Sequence, residues 1–330
     1  MNQLYDGAQR SISYLRISVT DRCNLRCRYC TPEEQFPLLG HGDILTYEEI
    51  ILIIKALVPV GIDKIRLTGG EPLVRRGLPR LIACINDIEG IRDVSLTTNG
   101  VLLAEMAGDL RSAGLGRVNV SLDTLKAEKF LYITRRDDFL RVMAGIDAAL
   151  AAGFAPVKLN VVAMRGFNDD EILDFVALSI DRPVQVRFIE YMPIGSSTRW
   201  QPDAVISAAE IRMRIEAEYG RLMPVPADHV SGPARLFTLS GGRGMVGFVS
   251  SLSDHFCDRC NRVRITADGR LRPCLLADLE YNLKKVVRNG ADAGAIRSLF
   301  AEAVANKTQG HGLSCNSMKK CTRLMSTIGG

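Results

Sequence analysis

Cys23, Cys27 and Cys30 fall within eight residues of one another, and Cys257, Cys260 and Cys274 form a second set toward the C-terminus. In a reducing compartment, thiolates grouped this closely more often hold metal or do chemistry than form disulfides. The Cys-x3-Cys-x2-Cys spacing of the first set offers three ligands to a four-iron cubane, which leaves the fourth iron open to an exogenous ligand. A structural zinc site favours paired Cys-x2-Cys spacing and four ligands, and His41 is the sole histidine near the first set. For the second set zinc stays open, with His255, His311, Cys315 and Cys321 as candidate fourth ligands. A protein that already carries one cluster favours a second, whose open iron could bind substrate.

Such loops need a scaffold. Six β-rich runs, Tyr14 to Val19, Lys64 to Thr68, Val94 to Thr98, Arg117 to Ser121, Val157 to Val162 and Val184 to Glu190, alternate with amphipathic helical stretches. One of these, TYEEIILIIKALVPVG, opens on a Thr46/Glu49 capping box and stops at Gly61. Strand then helix, six times over, predicts an α/β fold with parallel strands in an open or partial barrel. The loops at the C-terminal strand ends would then build the site. Gly69-Gly70-Glu71-Pro72 follows the second strand, with glycines allowing close backbone approach and Glu71 able to accept an ammonium. Thr97-Thr98-Asn99-Gly100, Ser121 and Asp123, the alternating pair Lys158 and Asn160, and Met192 occupy corresponding positions. After about residue 225 the pattern changes to a hairpin, Arg235 to Leu239 and Met245 to Ser250, expected in a separate small domain. The expected division is therefore 1–225 and 226–330.

The charge balance, 42 basic against 37 acidic residues, is modest and lacks the long Lys/Arg run of a nucleic-acid-binding arm. No run approaches the roughly 18 apolar residues of a membrane span, and the start MNQLYDGAQR lacks a signal-like apolar stretch, so the chain is read as cytoplasmic. Alternation places Arg262 and Arg264 on one face of an extended run; with Arg16 and Arg66 in barrel strands they suit a polyanionic small molecule.

The segment DRCNLRCRYC resembles the defining motif of the radical S-adenosylmethionine superfamily. With KIRLTGGEPLVRR, LTTNG, VNVSLDTL, VKLNVVAMRGFND, VRFIEYMPIG, FCDRCNRVRIT and the terminal Gly329-Gly330, nearly the whole chain is similar to the GTP 3',8-cyclases. That resemblance implies a partial (β/α)6 TIM-like barrel with a small C-terminal cluster-binding domain, two 4Fe-4S clusters, S-adenosylmethionine, an external reductant and a homodimer. It implies cofactor contacts at Tyr29, Gly70, Ser121 and Met192. It implies GTP contacts at Arg16, Arg66, Thr97, Lys158, Arg262, Val263 and Arg264, and entry of the Gly-Gly tail into the site. Thr31 departs from the family, which often has a larger apolar residue there, and Cys84, Cys315 and Cys321 fall outside its ligand pattern. A peptide-maturing member of the superfamily, or a zinc-stabilised interaction module, are the competing readings.

Overall fold

The alternating pattern folds into one mostly parallel sheet in a computed structural model that describes residues 3–31, 37–194, 200–226, 232–311, 321 and 323–329. The six expected strands form within one residue of their expected ends: β1 (Tyr14–Ser18), β2 (Lys64–Thr68), β3 (Asp93–Thr98), β4 (Arg117–Ser121), β5 (Val157–Ala163) and β6 (Val184–Glu190). Each pairs parallel with the next. Helices α1 (Tyr47–Leu57), α2 (Leu78–Asn86), α3 (Leu103–Ser112), α4 (Ala127–Thr134), α5 (Phe139–Ala151) and α6 (Ile172–Asp181) make the crossovers. The capping box on α1 is present: the Glu49 amide donates to Thr46 Oγ1 (3.1 Å) and the Thr46 amide to Glu49 Oε2 (2.7 Å). Gly61 ends that segment at φ +103°, a conformation open to glycine.

After α7 (Ala208–Tyr219), strands β7 (Met223–Pro224), β8 (Arg235–Thr238) and β9 (Met245–Val249) follow, then β10 (Arg262–Ile265), β11 (Arg270–Arg272) and β12 (Tyr281–Asn282). The expected hairpin forms and continues the sheet of the barrel: β8 pairs antiparallel with β9, β9 pairs parallel with β6, and β10 pairs parallel with β1. The C-terminal strands thus cover both edges that the six-strand array would leave unpaired. Helices α8 (Leu283–Arg288), α9 (Ala293–Ala305) and α10 (Met325–Ile328) complete the chain.

Parallel strands under helices are ordinarily apolar on both faces. Here one face obeys that rule and the other does not. Leu15, Ile17, Ile65, Leu67, Val118, Val120, Leu159, Val186, Val263 and Ile265 pack in the main hydrophobic core. The alternate positions, Tyr14, Arg16, Lys64, Arg66, Thr97, Arg117, Asn119, Asn160, Arg187, Arg262 and Arg264, line a cavity. Period-2 alternation therefore turns a polar surface inward, and that surface is the candidate site.

Candidate active site

The first cysteine loop is held by the loop after β2. The Gly70 amide donates to Thr20 O (2.6 Å) and the Glu71 amide to Arg22 O (2.7 Å). A Cβ on Gly70 would lie 2.4 Å from Arg22 O and 2.7 Å from Asp21 O, closer than atoms can come. The close approach expected of these glycines is thus made, in this structure, to the backbone that carries the cysteines. Glu71, expected to be able to accept an ammonium, also accepts three bonds within the protein, from Leu73 N (3.0 Å), Thr98 Oγ1 (2.7 Å) and Asn99 N (2.6 Å). Burial raises its carboxyl to about 7.

The Cys23, Cys27 and Cys30 thiols line one cavity wall. Burial pushes Cys23 up to about 12, helped by the neighbouring Glu71 carboxylate, and raises Cys30 to about 11. Cys27 is raised by burial and then by Cys30 and Cys23 beside it. Thiols so reluctant to ionise unaided are deprotonated by bound metal. Thr31, the departure noted above, is buried, and its hydroxyl donates to Cys30. Tyr29 donates to Asp123 Oδ2 (2.6 Å), whose other oxygen accepts from Val162 N (2.9 Å).

The second set is held from β6. Glu190, 1% exposed, accepts from the amides of Leu252 (2.7 Å), Ser253 (3.0 Å) and Ala208 (3.2 Å) and from the Ser253 hydroxyl. This fixes the segment that runs into Cys257. Cys257, Cys260 and Cys274 line the same cavity as the first set. Burial alone would raise Cys260, but Arg262 and Lys307 outweigh it and bring the thiol down to about 6. Of the fourth-ligand candidates, His311 lines the cavity and bonds Ser251 O (2.9 Å), with the His255 ring 5.3 Å from its own. Cys321 lies elsewhere, accepting from Arg272 Nη2 (3.2 Å) beside Asp278, and Cys315 is outside the described residues.

Strand direction separates the two sets. The first follows the C-terminal end of β1, whereas Cys260 precedes β10, which runs parallel to β1 with Arg262 opposite Tyr14. The sets therefore sit at opposite ends of strands that span roughly 16 Å, five residues at about 3.3 Å each. Between them the register aligns Arg264 with Arg16, Arg16 with Arg66, and Arg66 through Ser95 with Arg117. Arg187, Lys64 and Lys307 line the same cavity, of about 320 Å³. Arg187 and Arg117 belong to no recognised motif, and their parity within β6 and β4 is the signal that marks them as facing the cavity.

Burial lowers the Arg16 guanidinium, and Arg264 and Arg66 beside it lower it further; Arg264 and Arg187 are each brought down to about 9 for the same reasons. Packing like charges this closely is costly unless an anion occupies the space. Tyr14 OH, Thr68 Oγ1, Thr97 Oγ1 and both side-chain polar atoms of Asn119 are buried at this cavity without a hydrogen-bond partner among the described residues, which points the same way. Gly70, Ser121, Met192, Tyr29, Thr97, Arg16, Arg66, Arg262 and Arg264 all line the cavity. Two expected residues do not. Lys158 is 3% exposed beneath the lining, and the fully buried Val263 points to the helix side.

The tail enters this space. Arg264 Nη1 donates to Gly329 O (2.7 Å), and a Cβ on Gly329 would meet Thr68 Oγ1 at 2.2 Å. The Ser326 amide reaches the Cys30 thiol. Arg323 anchors the segment on Asp268 (3.0 and 3.1 Å) and Glu280 (2.8 Å). Gly330 lies outside the described residues.

Residues 17–178 match the family model for the Radical SAM superfamily, and 184–313 match Molybdenum Cofactor Synthesis C. A GTP 3',8-cyclase of Moorella thermoacetica is 51% identical over 99% of this chain and 100% of its own length. One of Thermodesulfovibrio yellowstonii is 51% identical over 98% and 99%.

The chain belongs to the GTP 3',8-cyclase family.

Among solved structures, Streptococcus suis SuiB has a TM-score of 0.60 at 16% identity, covering 88% of this chain and 69% of that one. A structure of anSMEcpe with bound AdoMet has a TM-score of 0.58 at 13% identity, covering 92% and 80%. At such identities the likeness is one of fold, the partial barrel of radical SAM enzymes. In this cyclase-family chain no three His, Cys, Asp or Glu side chains among the described residues group as around a single metal ion. Each cysteine set instead presents three thiols to a shared cavity, the donor chemistry a multi-iron cluster needs. No helix among the described residues is long and apolar enough to cross a membrane.

Proposed function

We propose that this chain is a lyase that converts GTP to (8S)-3',8-cyclo-7,8-dihydroguanosine 5'-triphosphate, in the first step of molybdenum cofactor biosynthesis, using two [4Fe-4S] clusters and S-adenosylmethionine. The observation that carries the reading is the placement of two three-cysteine sets at opposite strand ends of one cation-lined cavity. Cys23, Cys27 and Cys30 would hold the first cluster, which when bound would supply the one-electron chemistry for reductive cleavage of S-adenosylmethionine. Tyr29, Gly70, Ser121 and Met192 would hold that cofactor, Tyr29 being oriented by its bond to Asp123. Cys257, Cys260 and Cys274 would hold the second cluster, and an iron left without a protein thiolate would supply a Lewis-acidic site for substrate. Arg16, Arg66, Thr97, Arg262 and Arg264 would bind GTP, with Arg187 adding charge for the triphosphate, Arg117 being already paired with Asp93, and Val263 contributing backbone alone. The barrel over 1–225, the C-terminal part over 226–330, a cytoplasmic homodimer and an external reductant belong to the same reading.

Incubation of anaerobically reconstituted protein with GTP, S-adenosylmethionine and reductant should yield the cyclised nucleotide, with about eight irons per chain. Unchanged GTP beside cleaved cofactor would rule out the substrate, and zinc in place of iron would rule out the chemistry.

Lys158 gives this reading a pH signature. Burial, then Arg187, Arg117 and Arg66, lower its ammonium to about 6, so the amine is largely neutral at neutral pH. A polyanion among these cations favours the charged form, so GTP binding takes up a proton in the window above about 6, and affinity falls as pH rises through the bound-state value. Calorimetric titration in buffers of different ionisation enthalpy should show uptake of at most about one proton, absent in Lys158→Gln. Equal proton counts for the two proteins would show that Lys158, beneath the lining, does not respond to the bound anion.

A further inference from the structure

Asn99 closes the loop after β3, and each polar group of its side chain is committed. Its Oδ1 accepts from Val101 N (3.1 Å), which fixes the amide orientation. The two Nδ2 protons are then directed to Asn24 Oδ1 (2.8 Å) and Cys23 Sγ (3.7 Å). The Asn99 backbone amide donates to the buried Glu71 (2.6 Å), which also holds Thr98, so the side chain is anchored at both ends. Leu25 N, at 3.4 Å, also donates to the same sulfur. Asn99 lines the cavity beside Cys23.

We propose that Asn99 is a positioning residue that sets the reduction potential of the first cluster through its N–H···S bond to Cys23. The inference rests on the reading that Cys23, Cys27 and Cys30 hold that cluster. Reduction adds one negative charge to the cluster and its thiolates. A donor aimed at a ligating sulfur stabilises that charge and so raises the potential, as hydrogen bonds to cluster sulfurs do generally. The interaction is useful here because the surroundings oppose reduction: Glu71 is a buried carboxyl close to Cys23, and Asp123 lies beside Cys27. No bond to carbon is made or broken; one electron arrives from the external reductant and stays on the cluster.

Asn99→Asp keeps an acceptor for Val101 while removing both N–H donors, and Asn99→Ala removes the side chain altogether. In each, iron content should stay at the wild-type level while the midpoint potential of the first cluster, followed by electron paramagnetic resonance, moves negative. The expected size is about tenfold less reduced cluster at a fixed potential, or ~59 mV for one electron. An unchanged potential in an iron-replete variant would overturn the proposal. Should both variants lose the cluster, wild-type protein labelled with side-chain ¹⁵N asparagine decides: hyperfine coupling of the reduced cluster to that nitrogen supports the bond, and its absence overturns it. Wild-type protein that binds no iron at the first cysteines would instead defeat the cluster reading, a separate outcome.

Discussion

Gly70→Ala is expected to empty the first cysteine site and leave the second loaded, taking iron from about eight to about four per chain. The new methyl would sit 2.4 Å from Arg22 O and 2.7 Å from Arg22 C and Asp21 O, all backbone atoms of the cysteine loop. A flexible side chain could swing away from such a contact; backbone cannot. The loop must move, and with it go the bonds from Gly70 N to Thr20 O and Glu71 N to Arg22 O that pin it. Loss of activity alone would be ambiguous, since Gly70 is also a proposed cofactor contact. Iron and sulfide content, together with the spectrum of the remaining cluster, separate the two roles. A Gly70→Ala protein with full iron would show that the loop tolerates displacement.

The counterpart at the other end of the strands is Glu190. Glu190→Ala should lose the second cluster while keeping the first, so that S-adenosylmethionine is still cleaved but GTP is not converted. Its two oxygens accept from Leu252, Ser253 and Ala208. Each buried amide left without a partner costs ~1–3 kcal/mol, and rearrangement of the 252–256 segment is the way to relieve that cost. Glu190→Gln retains one accepting oxygen and should fall between wild type and Ala. The measurement is again iron per chain, with separate assays of cofactor cleavage and GTP turnover. Undiminished iron in Glu190→Ala would mean that the second cysteine set is held by its own strands, β10 and β11, without help from β6.

Much of the site is legible because its signals are local. Cysteine spacing needs no tertiary information: three thiols within eight residues can reach one cluster whatever the fold around them. Strand parity is equally local, and it marks Arg16, Arg66, Arg262 and Arg264 as sharing a face with their alternate neighbours. Parity marks Arg117 and Arg187 in the same way, although neither falls in a recognised motif. Gly70 and Glu71 could be located but not interpreted. The same pair of glycines serves a ligand or a neighbouring backbone equally well, and the choice depends on a loop some fifty residues earlier in the chain.

By itself, then, the sequence determined the β/α alternation, the first three-thiol set, the capping of α1 and which strand arginines share a face, since each follows from spacing over a few residues. Tertiary structure alone decided that β9 and β10 pair with β6 and β1, and that the cysteine sets lie at opposite strand ends. It also decided that Glu190 and Asn99 serve those sets, and that Lys158 sits below the cavity wall. Those facts depend on register between strands far apart in the chain. Such register is settled by which buried edges pair and which polar groups find partners, and no local pattern records it.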